Sequence, residues 1–133
     1  MNNISLSDLF SKKLKSPLLN ARWSWGAINA NNAVVLRVFQ HEFEKRNVHI
    51  YSELWEDSLG KTERKNHVDL VRLGSPLGLI VCLAENTSEG KERIKQFNEQ
   101  EVFVSGRLID DGVNVWCEVV ERISLAEWNS RYC

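Results

Sequence analysis

The chain has 133 residues, of which 43% are hydrophobic and 26% are charged. This length fits one domain with a core of its own, and the composition excludes wholesale disorder. The formal net charge of −1 argues against a protein that holds nucleic acid mainly by bulk charge.

The first predicted element is a short amphipathic helix at residues 7–15. Either Ser5 or Ser7 can cap its first turn, and Pro17 ends it. Its apolar side chains recur near helical spacing at Leu6, Leu9, Phe10 and Leu14.

Three strands are predicted next. Residues 22–28 and 33–39 form a hairpin around residues 29–32, because the asparagines there tolerate the positive φ of tight turns. Residues 48–54 supply the third strand, and the charged stretch 42–47 before it is typical of a solvated loop or strand end.

A longer helix is predicted at residues 61–73, after a break at Gly60 and before Gly74 and Pro76. The continuous apolar run at residues 77–84 predicts a central strand that is covered on both faces.

The polar segment 87–98 predicts a short surface helix that Ser88 caps, with Ile94 and Phe97 on its apolar side. Two long strands at 101–109 and 113–123 then form a hairpin around the turn Asp110-Asp111-Gly112. A capping box at residues 124–127 starts a terminal helix that carries Trp128.

These elements predict that residues 1–133 form a single globular domain. The order of helices and strands predicts an antiparallel-dominated α+β fold, with a curved or barrel-like mixed sheet and flanking helices.

The cysteines predict a reducing compartment and no metal site. Cys82 and Cys117 lie in apolar, strand-like runs, Cys133 is the last residue, and no pair has metal-ligand spacing. We expect no cofactor and no membrane partner, because no apolar run approaches the roughly 20 residues that span a bilayer. The start of the chain lacks the features of a secretory leader, which predicts a cytoplasmic protein.

The histidines do not indicate catalysis. His41 and His49 flank the charged stretch, and His67 lies on the predicted longer helix. No histidine has an evident nucleophile or carboxylate partner in the sequence, so a binding module is favoured over an enzyme.

Trp23 and Trp25 are the first candidate site residues. Two tryptophans at i and i+2 of a strand project from the same face. They form either a slab of core or a platform on which a base stacks, and an exposed Trp55 then caps the same cleft. Trp116 and Trp128 are predicted to be packing residues.

Arg64 and His67 are the next candidates, since they follow one side of the predicted helix with Val68 and Val71. Arg64 either lays its stem along the core and sends its guanidinium to water, or binds a phosphate or base edge. In the first alternative His67 is a hydrogen-bonded boundary residue.

Arg37 is a third candidate, because it alternates onto the same strand face as Val35 and Phe39. It pairs with a carboxylate, for which the candidates are Glu42, Glu53 and Glu118, or it contacts an anion beside the tryptophans.

Short motifs in chain order resemble a family of small bacterial domains associated with HNH endonucleases, similar to modified-base readers of the PUA and EVE-like type. The resemblance covers roughly residues 5–120 and is carried by WSWGA at 23–27, VLRVF at 35–39, ER at 63–64, HVDL at 67–70 and GLIVC at 78–82. It implies a curved sheet with an aromatic pocket that receives a flipped base. The residues that would line this pocket are Trp23, Trp25, Arg37, Arg64 and His67. A second stretch, VFVSGRL at 102–108 followed by Trp116, resembles a strand pair of a single-strand-binding OB-fold, and implies contacts by Arg107 and Trp116.

Three functions remain open from the sequence. The first is a non-enzymatic module with an aromatic cleft that binds DNA or RNA, including a modified base. The second is a protein-interaction or inhibitor domain of the immunity or antidefence type, since Trp and Arg are enriched in binding hot spots. An enzyme acting on a small substrate is the third.

Overall fold

The computed structural model describes residues 3–85 and 93–133. Within them the chain forms three α-helices and eight strands. The helices are α1 (Leu6–Asp8), α2 (Leu59–Arg72) and α3 (Leu125–Tyr132). The strands are β1 (Gly26–Ile28), β2 (Val34–Phe39), β3 (Phe43–Glu44), β4 (Asn47–Ser52), β5 (Leu77–Ala84), β6 (Ile94–Phe97), β7 (Glu101–Asp110) and β8 (Asn114–Ser124).

All eight strands belong to one mixed sheet with the order β1-β2-β5-β7-β8-β4-β3, and β6 pairs with β5 beside this path. Only β2 and β5 run parallel, and the other described pairs are antiparallel. This arrangement confirms the predicted antiparallel-dominated α+β fold.

Each face of the sheet carries its own hydrophobic cluster. On β2, Leu36 joins a cluster with Ile50 and Val68 under α2. The preceding residue, Val35, points to the other face of the sheet and packs in a cluster that includes Phe10 and Trp128 from the terminal helices. The period-two alternation of β2 therefore supplies both clusters.

The N-terminal helix forms as predicted but widens after its first turn. The Ser5 hydroxyl accepts a hydrogen bond from the Asp8 amide at 3.0 Å, so Ser5 is the cap. Residues 9–13 then continue as a π-helical turn, in which the Leu14 amide donates to the Leu9 carbonyl. The wider turn lets Leu9, Phe10 and Leu14 all reach the core.

Strand β1 is shorter than predicted, since it begins at Gly26 and not at residue 22. Residues 21–23 form a turn, and the Ser24 amide donates to the Asn20 carbonyl. The Trp25 amide donates to the Glu63 carboxylate of α2 at 3.1 Å, in place of a partner strand. The predicted strand face shared by Trp23 and Trp25 is therefore wrong.

The helix predicted at 87–98 is also wrong where the structure describes it, because residues 94–97 form β6 against Cys82–Ala84 of β5. Residues 87–92 of that prediction lie outside the described residues. The stretch before β4 contains a 3-10 turn and the two-residue strand β3. Lys45, with a positive φ of 57°, lies in the tight turn that lets β3 pair with β4.

Candidate functional site

Five aromatic side chains meet at one end of β4 and form the aromatic cluster. Trp55 is its centre, with ring centroids 5.8 Å from Trp25, 5.5 Å from His49 and 5.6 Å from Tyr51. His49 in turn lies 5.0 Å from Trp116. Apart from Tyr51, which is buried, these side chains are half-buried, so the cluster is part of the protein surface.

The pairing of β4 with β8 places two members of the cluster. His49 lies directly opposite Trp116, and its Nε2 lies 3.0 Å from the Asn114 Oδ1 on the same strand as Trp116. The register then shifts at Ile50, which is the extra residue of a β-bulge. Tyr51, the first residue after the bulge, contacts Trp55 as well.

Lys61 holds the turn that carries Trp55. Its ammonium is buried and donates to the Glu53 and Trp55 carbonyls at 3.0 and 2.7 Å and to the Asp57 carboxylate at 3.1 Å. A lysine at the start of α2 therefore fixes three points of the segment between β4 and that helix. Trp55 is positioned by this buried cation and not by a regular element.

Gly60 allows α2 to lie directly on the Trp25 indole. A Cβ at Gly60 would come 2.3 Å from Cε2 of Trp25, which is closer than two carbon atoms that are not bonded to each other can pack. The absence of a side chain at Gly60 thus brings the first turn of α2 against one ring of the cluster.

Arg64 lies beneath the cluster and is only 5% exposed. Its Nη1 donates to the Ile50 carbonyl at 2.7 Å, and its Nη2 donates to the Arg37 carbonyl at 2.8 Å and, at 3.3 Å, to the Trp25 carbonyl. The guanidinium also lies 5.7 Å from the centre of the Trp25 ring. The expectation that it reaches water is wrong, because it joins the β4 bulge to β2 inside the fold.

Burial sets the protonation of this region. It lowers the pKa of Arg64 to about 10, so the guanidinium is still charged at neutral pH. Burial, followed by the neighbouring Arg64 charge, lowers the pKa of His67 to about 4. His67 is therefore neutral at physiological pH, and its Nδ1 has no hydrogen-bond partner among the described residues.

The structure brings together some of the predicted site residues. The Arg64 guanidinium joins the backbone carbonyls of Trp25 and Arg37. His67 lies one turn further along α2. Trp23 lies in the turn before β1, and no ring contact described in the structure involves it.

Sequence reasoning placed Trp55 beside the predicted cleft but missed the part that His49 plays in it. The OB-fold resemblance implies contacts by Arg107 and Trp116. These two side chains contact different residues in the structure, since Arg107 lies 3.8 Å from Glu118 whereas Trp116 contacts His49. No short-range pattern links His49 to Trp55 and Trp116, because the contact depends on the β4–β8 pairing.

Three exposed apolar residues are chain neighbours of Trp55 or of residues that contact the cluster. Leu54 is 80% exposed, Leu59 is 63% exposed and Val113 is 40% exposed. The Glu53 amide donates to the Val113 carbonyl at 2.8 Å, so the β7–β8 turn lies against the segment that carries Trp55. The surface formed by the cluster and these three side chains is called the Trp55 surface below.

The border of the Trp55 surface is acidic. Its carboxylates form the acidic rim, which consists of Glu53, Glu56, Asp57 and Asp111. All four are exposed, and the one neighbouring cation that pairs with them in the described residues is the buried Lys61. The exposed groups of the rim therefore attract cations, whereas the cations beside the cluster, Lys61 and Arg64, are buried.

Comparison with protein-family models, with curated proteins and with solved structures gives no match to this chain. None of the described helices has the length and apolar character needed to cross a membrane. The class that the geometry defines is an α+β domain with a half-buried aromatic surface at one end of a mixed sheet.

Proposed function

We propose that this protein is a non-catalytic binding module and that the Trp55 surface is its contact site. The supporting observation is the exposure of Leu54 and Leu59, which precede and follow in the chain a half-buried tryptophan that Lys61 holds in place. An exposed apolar patch beside fixed tryptophan rings is typical of an interaction site, and a preorganised surface loses little entropy on binding.

The acidic rim favours a protein partner with basic side chains. Four exposed carboxylates around the aromatic cluster oppose the approach of a phosphate backbone and complement lysine or arginine. Catalysis is not favoured, because His49 bonds to an amide and His67 is buried and neutral. The proposal includes a cytoplasmic location, which the three free cysteines support.

Matched variants of the exposed leucines test this proposal. A partner captured from a lysate of the source organism is identified by mass spectrometry, purified and titrated calorimetrically against wild type, Leu54→Ser and Leu59→Ser. Leu73→Ser is the control, since Leu73 is 86% exposed at the other end of α2. We expect at least a roughly tenfold loss of affinity for the first two variants and none for the control. Equal affinity for all three variants would contradict the assignment.

Nucleic acid is the second candidate. One observation favours it: the half-buried rings of Trp25, Trp55, His49 and Trp116 contact one another in turn, and aromatic rings are the groups on which bases stack. This version of the proposal retains a modified base as the ligand, as the sequence resemblance implies.

Tryptophan fluorescence separates the two candidates. The protein is titrated with single-stranded, duplex and modified-cytosine duplex DNA at low and physiological salt. Saturable quenching that persists at physiological salt and depends on the base would place nucleic acid first. Quenching that disappears with salt indicates generic charge attraction and leaves the protein partner first.

A further inference from the structure

A concave site lies at the opposite end of β4 from the Trp55 surface. Strand β5 pairs with β7 at Gly78 and Leu79 and with β6 from Cys82 onward, so the sheet divides between these points. A groove of about 570 Å³ opens there, which is within the usual range for small-ligand sites. It is called the phenyl groove below.

Three phenylalanines line the phenyl groove, one from each neighbouring strand. Phe43 of β3 and Phe103 of β7 are in edge-to-face contact, with centroids 6.2 Å apart and planes at 69°, and Phe97 of β6 is the third. All three rings are half-buried. They offer apolar surface to a flat group, and they share no residue with the aromatic cluster.

The two charged residues in the described lining of the groove are both cations. Arg122 lies over the Phe103 ring, with Cζ 4.5 Å from the centroid, and its Nη2 donates to the Glu101 carboxylate at 2.7 Å. Its Nε and Nη1 make no hydrogen bond to the residues that the structure describes. Lys45 is the other cation, and it forms no ion pair with the described residues.

These features fit one kind of ligand. Stacking on Phe103 and the bond to Glu101 hold the guanidinium in place, so its remaining donors form a fixed fork for an oxygen anion. Because Glu101 balances the charge of Arg122, the ammonium of Lys45 supplies the net positive charge of the described lining. An aromatic body would remove the exposed parts of the three phenyl rings from water.

We propose that the phenyl groove binds a small planar aromatic anion. The ring of the ligand packs against Phe43, Phe97 and Phe103, and its carboxylate or phosphate lies between Lys45 and Arg122. This site is independent of the Trp55 surface, so a failure of either proposal leaves the other standing.

Chemical-shift titration of the 15N-labelled protein tests the proposal with two matched pairs of probes. The pairs are 2-naphthoate with naphthalene-2-methanol and adenosine monophosphate with adenosine, and inorganic phosphate is the control for charge alone. We expect each anion to bind at least about fivefold more tightly than its neutral analogue, with shifts at the backbone amides of the groove. Tighter binding of the nucleotide or of the carboxylate identifies the chemical source of the anion.

Two variants examine the contacts separately. Lys45→Gln should weaken binding of the anions about two- to fivefold and leave the neutral analogues unchanged, whereas Lys65→Gln on the exposed side of α2 should change neither. Leu83→Trp should fill the groove and abolish binding while the thermal melt stays cooperative. The proposal is overturned if anions and neutral analogues bind equally, if phosphate alone binds as well as the aromatic anions, if the shifts map elsewhere, or if no probe binds at low millimolar concentration.

Discussion

Replacing Arg64 with methionine should lower the free energy of unfolding much more than replacing a half-exposed arginine of the same helix. Methionine keeps the apolar stem but removes the donors to the carbonyls of Ile50 and Arg37, which are bonded at 2.7 and 2.8 Å. The Trp25 carbonyl is not left alone, because it also accepts from the Arg37 amide at 2.9 Å.

The magnitude follows from the two carbonyls that lose their donors. A buried acceptor without a donor costs about 1–3 kcal/mol, so two of them cost about 2–6 kcal/mol. The variant also removes a buried charge whose pKa the fold lowers, which offsets part of this cost. We therefore expect a loss of about 2–4 kcal/mol, a large part of the roughly 5–15 kcal/mol that stabilises a domain.

Urea unfolding followed by circular dichroism measures this loss. Arg72→Met is the control, because Arg72 forms half-exposed ion pairs with Asp69 and Asp110 and should cost no more than about 1 kcal/mol. Arg64→Lys should recover only part of the stability, since one ammonium cannot replace a planar fork that joins two strands. If Arg64→Met unfolds within about 0.5 kcal/mol of wild type, a range typical of surface changes, the structural role assigned to Arg64 is wrong.

Three further outcomes are expected. The free energy of unfolding should fall as the pH drops from about 6.5 toward 4, because His67 takes up a proton in the unfolded chain at a higher pH than in the folded chain. The difference between the pKa values of His67 in the two states amounts to roughly 3 kcal/mol. The variant His67→Gln should lose this part of the pH dependence. Gly60→Ala should displace the Trp25 ring and destabilise the fold by about 1–3 kcal/mol, visible as a shifted tryptophan emission maximum, whereas Lys65→Ala should leave that maximum unchanged. Of the three thiols, only that of Cys133 should react with a thiol reagent in the native protein, because the other two are buried and burial raises their pKa; fast labelling of more than one thiol would contradict this packing.

Features governed by neighbouring residues were predictable from the sequence. The turn at residues 110–112 forms because Gly112 takes a φ of 90° and the Asp111 carboxylate accepts from the Val113 and Asn114 amides. The terminal helix starts at Ser124, whose hydroxyl accepts from the Glu127 amide. In each case donors and acceptors lie within a few residues of one another.

Features that depend on distant residues were not predictable. Strand β1 begins only at Gly26 because Glu63, 38 residues away, accepts a hydrogen bond from the Trp25 amide. Segment 94–97 has a sequence that fits a surface helix, but β5 offers it an open edge and the pairing decides. Tertiary contact overrides local preference in both cases.

The candidate site also combines features that neighbouring residues determine with features that depend on distant residues. Arg64 lies near Trp25, and the helical spacing in the sequence places Arg64 at the edge of the predicted cleft. The three carbonyls around Arg64 could not be predicted, because one of them belongs to a bulge in β4 that exists only when β8 is paired with that strand. The role of His49 depends on the same pairing.

The order of strands has a consequence for synthesis on the ribosome. Strand β4 lies between β8 and the two-residue strand β3, and Asn47 of β4 pairs with Glu118, which is 71 residues later in the chain. At roughly 5–20 residues per second, the ribosome needs about 4–14 s to make this interval. During that time the apolar side chains of β4, including Val48 and Ile50, have no long strand beside them. The nascent chain thus presents an unpaired edge that chaperones can recognise, until the last strand is complete.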